Sequence, residues 1–508
     1  MTSEFAIAMN AITTTWNGAL SLSTPDCTGK TDGRLSVFYK AVRGMDKDTL
    51  NKYMEKAYQE SKVDAFLLAF NTRDCRGGKG ERTLGRLAFV WLFLNHPDEF
   101  RKIMHLIPVY GRWDDMFQFF PNVSVDEHDI VLDRYVNLQE DCVKIMSEQL
   151  KSDYKNMLDG KPCSLCSKWA PTEKDSMDKM FGTYGTLARI MKISPRTLRK
   201  TYLTPLRSYI KVVEKFMCNN EWDKIEYSKV PSQAMRRLKK SFAKRDEHRF
   251  EEWKNALSSG ATKVCGKQLH PHELIKEVRR TKTSDEVCEA QWKVLEEEVM
   301  KMGSLTDCLI IVDTSSSMHE PNFLPFDVAT AMGILVSGSI VNGPFKHMVI
   351  TFNTVPKFIE IKNGSLLERW KQVTGIEWGG TTNFQSVFAM ILMAAKQANL
   401  SPENMPKKVI TVSDMQFNQA GNLTNIQAID EQYKNSGYKR PDLIFWNVNG
   451  ESSDFPISVG DHGTALISGF SPEILRSVIT GTEFSPISVL RATLDTDRLK
   501  PIKDILEQ

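Results

Sequence analysis

The chain is 508 residues long, 41% hydrophobic and 25% charged, with a formal net charge of +3. A chain of this length exceeds what one core usually supports, so two or more domains are expected, and the composition is that of an ordinary globular protein. The longest apolar run, LAFVWLFL at 87–94, falls well short of the roughly 20 residues of a membrane-spanning helix, and the start MTSEFAIAMN lacks the regions of a signal peptide.

Taken from the N-terminus, TGKT at 28–31 does not make a phosphate loop, because Thr24 stands where the first glycine belongs and no strand precedes it. DTLNKYMEKAYQESKVDAFLLAFNT (48–72) spaces its apolar residues at i, i+3 and i+4, the pattern of amphipathic helix. RGGKGER (76–82) stands directly before the next apolar helix, so its glycines read as an entry turn, with a phosphate cradle as the alternative. YGRWDDMFQF (110–119) reads as a capped helix start with a buried Trp113. Cys163 and Cys166 form the only CxxC. No second pair or ligand-spaced histidines follow, which favours two core cysteines over a zinc or redox pair. Nine cysteines in so long a chain fit reduced thiols, so a soluble protein of the cytoplasm or nucleus is expected.

PLRSYIKVVEKFM (205–217) is again helical in pattern, and residues 196–249 around it hold 15 Lys+Arg against 6 Asp+Glu. On a helix, Arg236, Lys240 and Lys244 recur on one face at i, i+4 and i+8, with Arg237 beside them. Cations packed this way repel one another unless something negative lies nearby. Nucleic-acid phosphate is one solution; a solvated face, or docking against an acidic domain, is the other. His270 and His272 in LHPHELI (269–275) read as a helix cap and a packing residue rather than as metal ligands. A charged helical segment, 283–302, leads to a boundary just before Ser304. Residues 1–303 carry 50 Lys+Arg against 42 Asp+Glu and residues 304–508 carry 16 against 21, so the two parts differ in sign.

Beyond that boundary the pattern changes to short β-rich runs, LTDCLIIVD, KHMVITF, KKVITVSD and DLIFWNV, with helical stretches such as NFQSVFAMILMAAKQANL between them. Alternation of this kind predicts a doubly wound α/β domain with a mostly parallel sheet, whose ligands gather at the carboxyl ends of the strands. LIIVD places Asp313 at such an end, and KKVITVSD does the same for Asp414. With Ser315 and Ser317 from DTSSS and Thr381 from GGTTNF, these residues make an all-oxygen donor set suited to a hard divalent ion, Mg²⁺ before Mn²⁺ or Ca²⁺. No histidine, cysteine or glutamate at these loops is an obvious general base or nucleophile, so no enzymatic activity is expected.

The DxSxS, GGT and strand-end Asp combination resembles the metal-ion-dependent adhesion site of von Willebrand factor type A domains. The order of pieces, a basic helical part, VPSQAM (230–235), LHPHEL (269–274), LIIVDTSSSM and ISGFSPEILRSVI (467–479), resembles the Ro autoantigen family, in which a ring of helical repeats, the TROVE domain, precedes a type A domain. FNTRDCRGGKGER, YGRWDDM, SKWAPTE, PLR, VPSQAM and HPHEL are also similar to an uncharacterised family of plants and large DNA viruses, over nearly the whole chain. The resemblance implies a HEAT-like helical repeat domain over 1–303 and a type A domain over 304–508. It further implies binding of small non-coding or misfolded RNA, by a monomer, with the metal at Asp313, Ser315, Ser317, Thr381 and Asp414. From charge and from their place around VPSQAM, the candidate RNA contacts are Arg196, Arg199, Lys200, Arg207, Arg236, Arg237, Lys239, Lys240 and Lys244. The competing expectation is a metal-dependent protein-interaction scaffold that takes an acidic partner group and binds no RNA; a metal-dependent hydrolase ranks last.

Overall fold

The computed structural model describes residues 12–14, 20–22, 32–117, 129–303, 305–340, 345–352, 356–375, 384–417, 425–450, 456, 463–476 and 485–508. TGKT and Thr381 lie outside the described residues. Strands β1 (Ile12–Thr14) and β2 (Leu20–Leu22) form a short antiparallel pair. Helices follow: α1 (Gly33–Lys40), α2 (Lys47–Glu60), α3 (Lys62–Arg73) and α4 (Arg82–Asn95). The first three start where a short polar side chain accepts a backbone N–H of the first turn: Asp32 from Leu35, Asp46 from Thr49, and Ser61 from Asp64. A 30-residue helix α5 (Asp129–Leu158) and a set of short helices, including a π-helical turn at Leu198–Leu203, lead to α6 (Ser232–Arg245), α7 (Glu247–Ser258), α8 (Pro271–Thr281) and α9 (Glu286–Lys301).

The chain then changes to a mixed α/β sheet of β3 (Cys308–Asp313), β4 (Met348–Phe352), β5 (Lys357–Glu360), β6 (Lys408–Ser413), β7 (Asp442–Asn447) and β8 (Thr464–Ser468). Their spatial order is β5-β4-β3-β6-β7-β8, parallel throughout except for β5 against β4. Helices α10 (Leu324–Ser339), α11 (Phe384–Gln397) and α12 (Asn425–Lys434) lie between strands, and α13 (Pro486–Leu494) and α14 (Lys500–Leu506) end the chain. Both faces of the central strands are covered, which is why they read as unbroken apolar runs. Along β3, Ile310 and Val312 join one core with α10 and the N-terminal helices, while Leu309 and Ile311 join a second with α11 and α12. A third core gathers Val213, Tyr227, Met235, Phe242 and Phe250 around α6 and α7.

The helical part grips the sheet domain from both of its ends. From the start, Asp74 after α3 pairs with Arg498, and Asp64 of α3 with Arg491 at 2.8 Å. From the end, Arg279 of α8 holds Asp327 of α10 through two bonds of 2.7 and 2.8 Å. The first core accordingly runs from Leu35 to Ile502 without a break. YGRWDDM corrects one expectation: its 3-10 turn, Trp113–Met116, leaves Trp113 half-buried and buries Asp114 and Asp115 instead. Burial there goes to the carboxylates because several arginines surround them. Cys166 is in the core and Cys163 packs at its edge, both as free thiols. Among the described residues no helix is long and apolar enough to cross a membrane.

Candidate functional site

The order of strands reverses between β3 and β6, since the chain leaves β3 toward one edge and returns through β6 to the other side. Such a switch point, beyond the carboxyl ends of the strands, is where open α/β sheets take their ligands. Asp313 is the last residue of β3 and Asp414 follows β6, so both carboxylates flank it, and both are buried. Asp313 accepts the Ser315 backbone N–H at 2.9 Å on one oxygen and the Ser413 hydroxyl at 2.5 Å on the other, while Asp414 accepts the Gln416 N–H at 3.1 Å. These bonds hold the two carboxylates in place. Ser315 and Ser317 bring their hydroxyl oxygens to 3.1 Å from each other.

The donor set fits a divalent ion on two grounds. Burial first, and the Asp414 carboxylate second, push the Asp313 carboxyl up to about 7, the direction expected where two carboxylates share a pocket whose charge is not neutralised. A cation would remove that conflict. Neighbouring oxygens of an octahedral Mg²⁺ shell with bonds near 2.1 Å also lie about 3 Å apart, close to the separation of the two serines. Asp313, Ser315, Ser317 and Asp414 thus come together at one place; Thr381 is outside the described residues. His319, the nearest histidine in the sequence, packs against the rings of Phe323 and Phe326.

The basic residues divide into two groups. Arg236 pairs with Glu273 at 3.3 Å, and Lys239, 9% exposed, reaches both Glu277 and Asp285 at 2.5 Å, so this edge of α6 is bound to α8 and to the cap of α9. The solvent-facing row of α6 is Arg237, Lys240 and Lys244, at i, i+3 and i+7, not the row through Arg236. Arg207 is also committed: its guanidinium holds the Ser167 and Ala170 carbonyls at 2.8 and 3.0 Å and the Thr172 hydroxyl at 3.1 Å. Arg196, Arg199 and Lys200 are exposed on and just before the π-helical turn. Among the described residues, none of the six exposed cations is in an ion pair.

Two constellations escaped the sequence. Lys79 of RGGKGER is no phosphate ligand: its ammonium is fully enclosed, bonded to the carbonyls of Val37 (3.4 Å), Phe38 and Ala41 (3.1 Å) and to the Ser468 hydroxyl of β8 (2.8 Å). The glycines before it permit close approach, since a Cβ on Gly78 would stand 2.3 Å from the Asn71 carbonyl. The second is an arginine cluster. Asp114 accepts from Arg82 (3.1 Å), Arg86 (3.3 Å) and Arg112 (2.8 and 2.6 Å), and Asp115 from Arg86 and Arg73, each at 2.7 Å. The sequence signal was present, four arginines beside two adjacent aspartates within 73–115, but it required knowing that the two stretches meet.

Comparison with known proteins places these features in a family. Residues 307–498 match the model of a domain of unknown function (DUF7788), and residues 24–108 and 130–305 match that of another domain of unknown function (DUF2828). A relative, the uncharacterized protein L728 of Acanthamoeba polyphaga mimivirus, is 31% identical over 477 residues, covering 88% of this chain and 82% of that protein. Among solved structures, the Ro (RSR) protein of Deinococcus radiodurans superposes over 91% of this chain and 99% of that one, with 14% identity and a TM-score of 0.44. The DUF2828 match takes in more than half of the residues and the viral relative extends along most of the length, so the chain belongs to the DUF2828 family.

Proposed function

We propose that this protein is a non-enzymatic, Ro-like RNA-binding protein, in which the helical part holds small or misfolded non-coding RNA and a type A domain carries Mg²⁺ between Asp313 and Asp414. The observation that supports RNA binding most is the set of exposed cations, Arg237, Lys240 and Lys244 on α6 with Arg196, Arg199 and Lys200, none of them paired to a described carboxylate. Six unpaired cations within fifty residues raise a positive potential that polyanions relieve. Arg199 and Lys200 lie in a π-helical turn, a feature frequent at functional sites, which adds to this reading. Binding to single-stranded RNA, titrated at several salt concentrations, tests it. Contact with about five phosphates gives a log–log slope near −3.5.

A second reading, a metal-dependent protein-interaction scaffold, is supported by the strand-end site, where two carboxylates and two hydroxyls leave a bound ion able to take an acidic group from a partner. The two readings separate on Asp313→Ala. Loss of a protein partner with RNA affinity intact leaves the RNA reading in place; absence of any salt-dependent RNA affinity in the parent protein favours the scaffold.

A further inference from the structure

The arginine cluster beside α4 is out of balance. Four guanidiniums, from Arg73, Arg82, Arg86 and Arg112, share two carboxylates, Asp114 and Asp115, which leaves a surplus of two positive charges among the described residues. The buried members balance, Arg73 and Arg86 against Asp114 and Asp115. The surplus lies at the outer end, where the side chain of Arg82 is 51% exposed and that of Arg112 is 37% exposed. Burial, and then the neighbouring charges of Arg86 and Arg112, lower the Arg82 pKa, as expected where like charges crowd together.

Two further features belong to the same place. Arg82 is the first residue of α4, a 14-residue helix whose N-cap, Glu81, makes no side-chain capping bond, so the first-turn N–H groups and the positive end of the helix lie beside the surplus arginines. Arg112 lies over the Trp169 ring, 4.5 Å from its centroid, which holds the guanidinium in position, and Trp113 beside it is half-exposed. Planar forks near a helix start and next to aromatic rings are what a phosphate attached to a nucleotide requires. A phosphomonoester, with a charge of about −1.5 to −2 at neutral pH, matches a surplus of two better than a backbone diester with a single charge.

We propose that Arg82, Arg112 and the start of α4 form a binding site for the terminal phosphomonoester of a nucleic-acid strand. The site rests on the RNA reading above and goes beyond it, because it assigns recognition of a strand end to a place separate from the α6 cations.

The test uses one oligoribonucleotide in three forms, with a 5′-phosphate, with a 3′-phosphate and with neither, each labelled at the opposite or an internal position. Binding is followed by fluorescence anisotropy with the full chain, Arg82→Gln, Arg82→Lys and Arg112→Gln, after thermal melting has shown that each variant folds. One phosphorylated form is expected to bind at least about tenfold tighter than the unphosphorylated strand, as charge-assisted bonds allow. Arg82→Gln and Arg112→Gln should remove that preference while leaving the affinity for the unphosphorylated strand within about twofold, and Arg82→Lys should restore part of it. A variant that was merely destabilised would weaken all three strands alike. Equal binding of all three strands by the parent protein overturns this inference and leaves the RNA reading standing. If no strand binds, the RNA reading falls, and inorganic pyrophosphate then decides the site. A melting-temperature rise that Arg82→Gln abolishes would keep an anion site there, whereas no rise would overturn it.

Discussion

Lys79 shows how one side chain can join parts of a chain that lie far apart in sequence. Its ammonium bonds three carbonyls at the end of α1 and the Ser468 hydroxyl on β8, and that hydroxyl in turn donates to the Phe38 carbonyl at 2.9 Å. Four acceptors outnumber the two hydrogens of a neutral amine, so the cage favours the ammonium, while burial pushes its pKa down, to about 7. Either way the folded pKa lies below the 10.5 of the unfolded chain, so the unfolded state holds more protons over that interval and stability rises with pH between about 7 and 10.5. Lys79→Met should lower unfolding free energy in urea by about 3 kcal/mol, through carbonyls left unpaired, and should remove this rise between pH 7 and pH 9. A second residue-scale test concerns Asp313. Millimolar Mg²⁺ should raise the melting temperature of the parent protein, by about 2.7 kcal/mol of stabilisation at a hundredfold excess over the dissociation constant, and should leave Asp313→Ala unmoved.

At the scale of the element, α6 separates two roles within one basic sequence. Lys239→Ala should destabilise the fold by about 2 kcal/mol, a value discounted because its partner Asp285 is 41% exposed, and should leave RNA affinity nearly unchanged in the protein that remains folded. Arg237→Ala, Lys240→Ala and Lys244→Ala together should do the reverse, keeping the melting temperature within a degree or two and reducing the magnitude of the salt slope by about 2. The sequence made the helix and its charge visible but not its orientation. Which cations face solvent is decided by Glu273, Glu277 and Asp285, carboxylates more than thirty residues downstream. Strands were easier to read, since β3 and β6 are apolar runs that end on oxygen, and Asp313 and Asp414 could be placed from that alone. Lys79 could not, because its acceptors lie about forty residues upstream and 389 residues downstream, and RGGKGER carries no trace of them.

For the whole molecule, helices and sheet domain share one continuous core, so they should unfold together. Calorimetry should show one main transition. Removing residues 485–508, and with them Arg491 and Arg498, should lower its midpoint by uncovering α3 and leaving Asp64 and Asp74 without these partners. A change in sign of charge near Ser304 made two parts legible in the sequence. How the first and last helices both hold the sheet domain was not legible, because Asp74–Arg498 and Arg279–Asp327 are contacts across long separations.

Gentle purification of the full chain, followed by sequencing of the nucleic acid that comes with it, tests whether the exposed cations hold RNA, beside the variant carrying Arg237→Ala, Lys240→Ala and Lys244→Ala. Small RNAs should be enriched on the parent protein and lost from a variant that is still folded. RNA no higher than background on the parent protein, or equal enrichment on both, would contradict RNA binding by these cations.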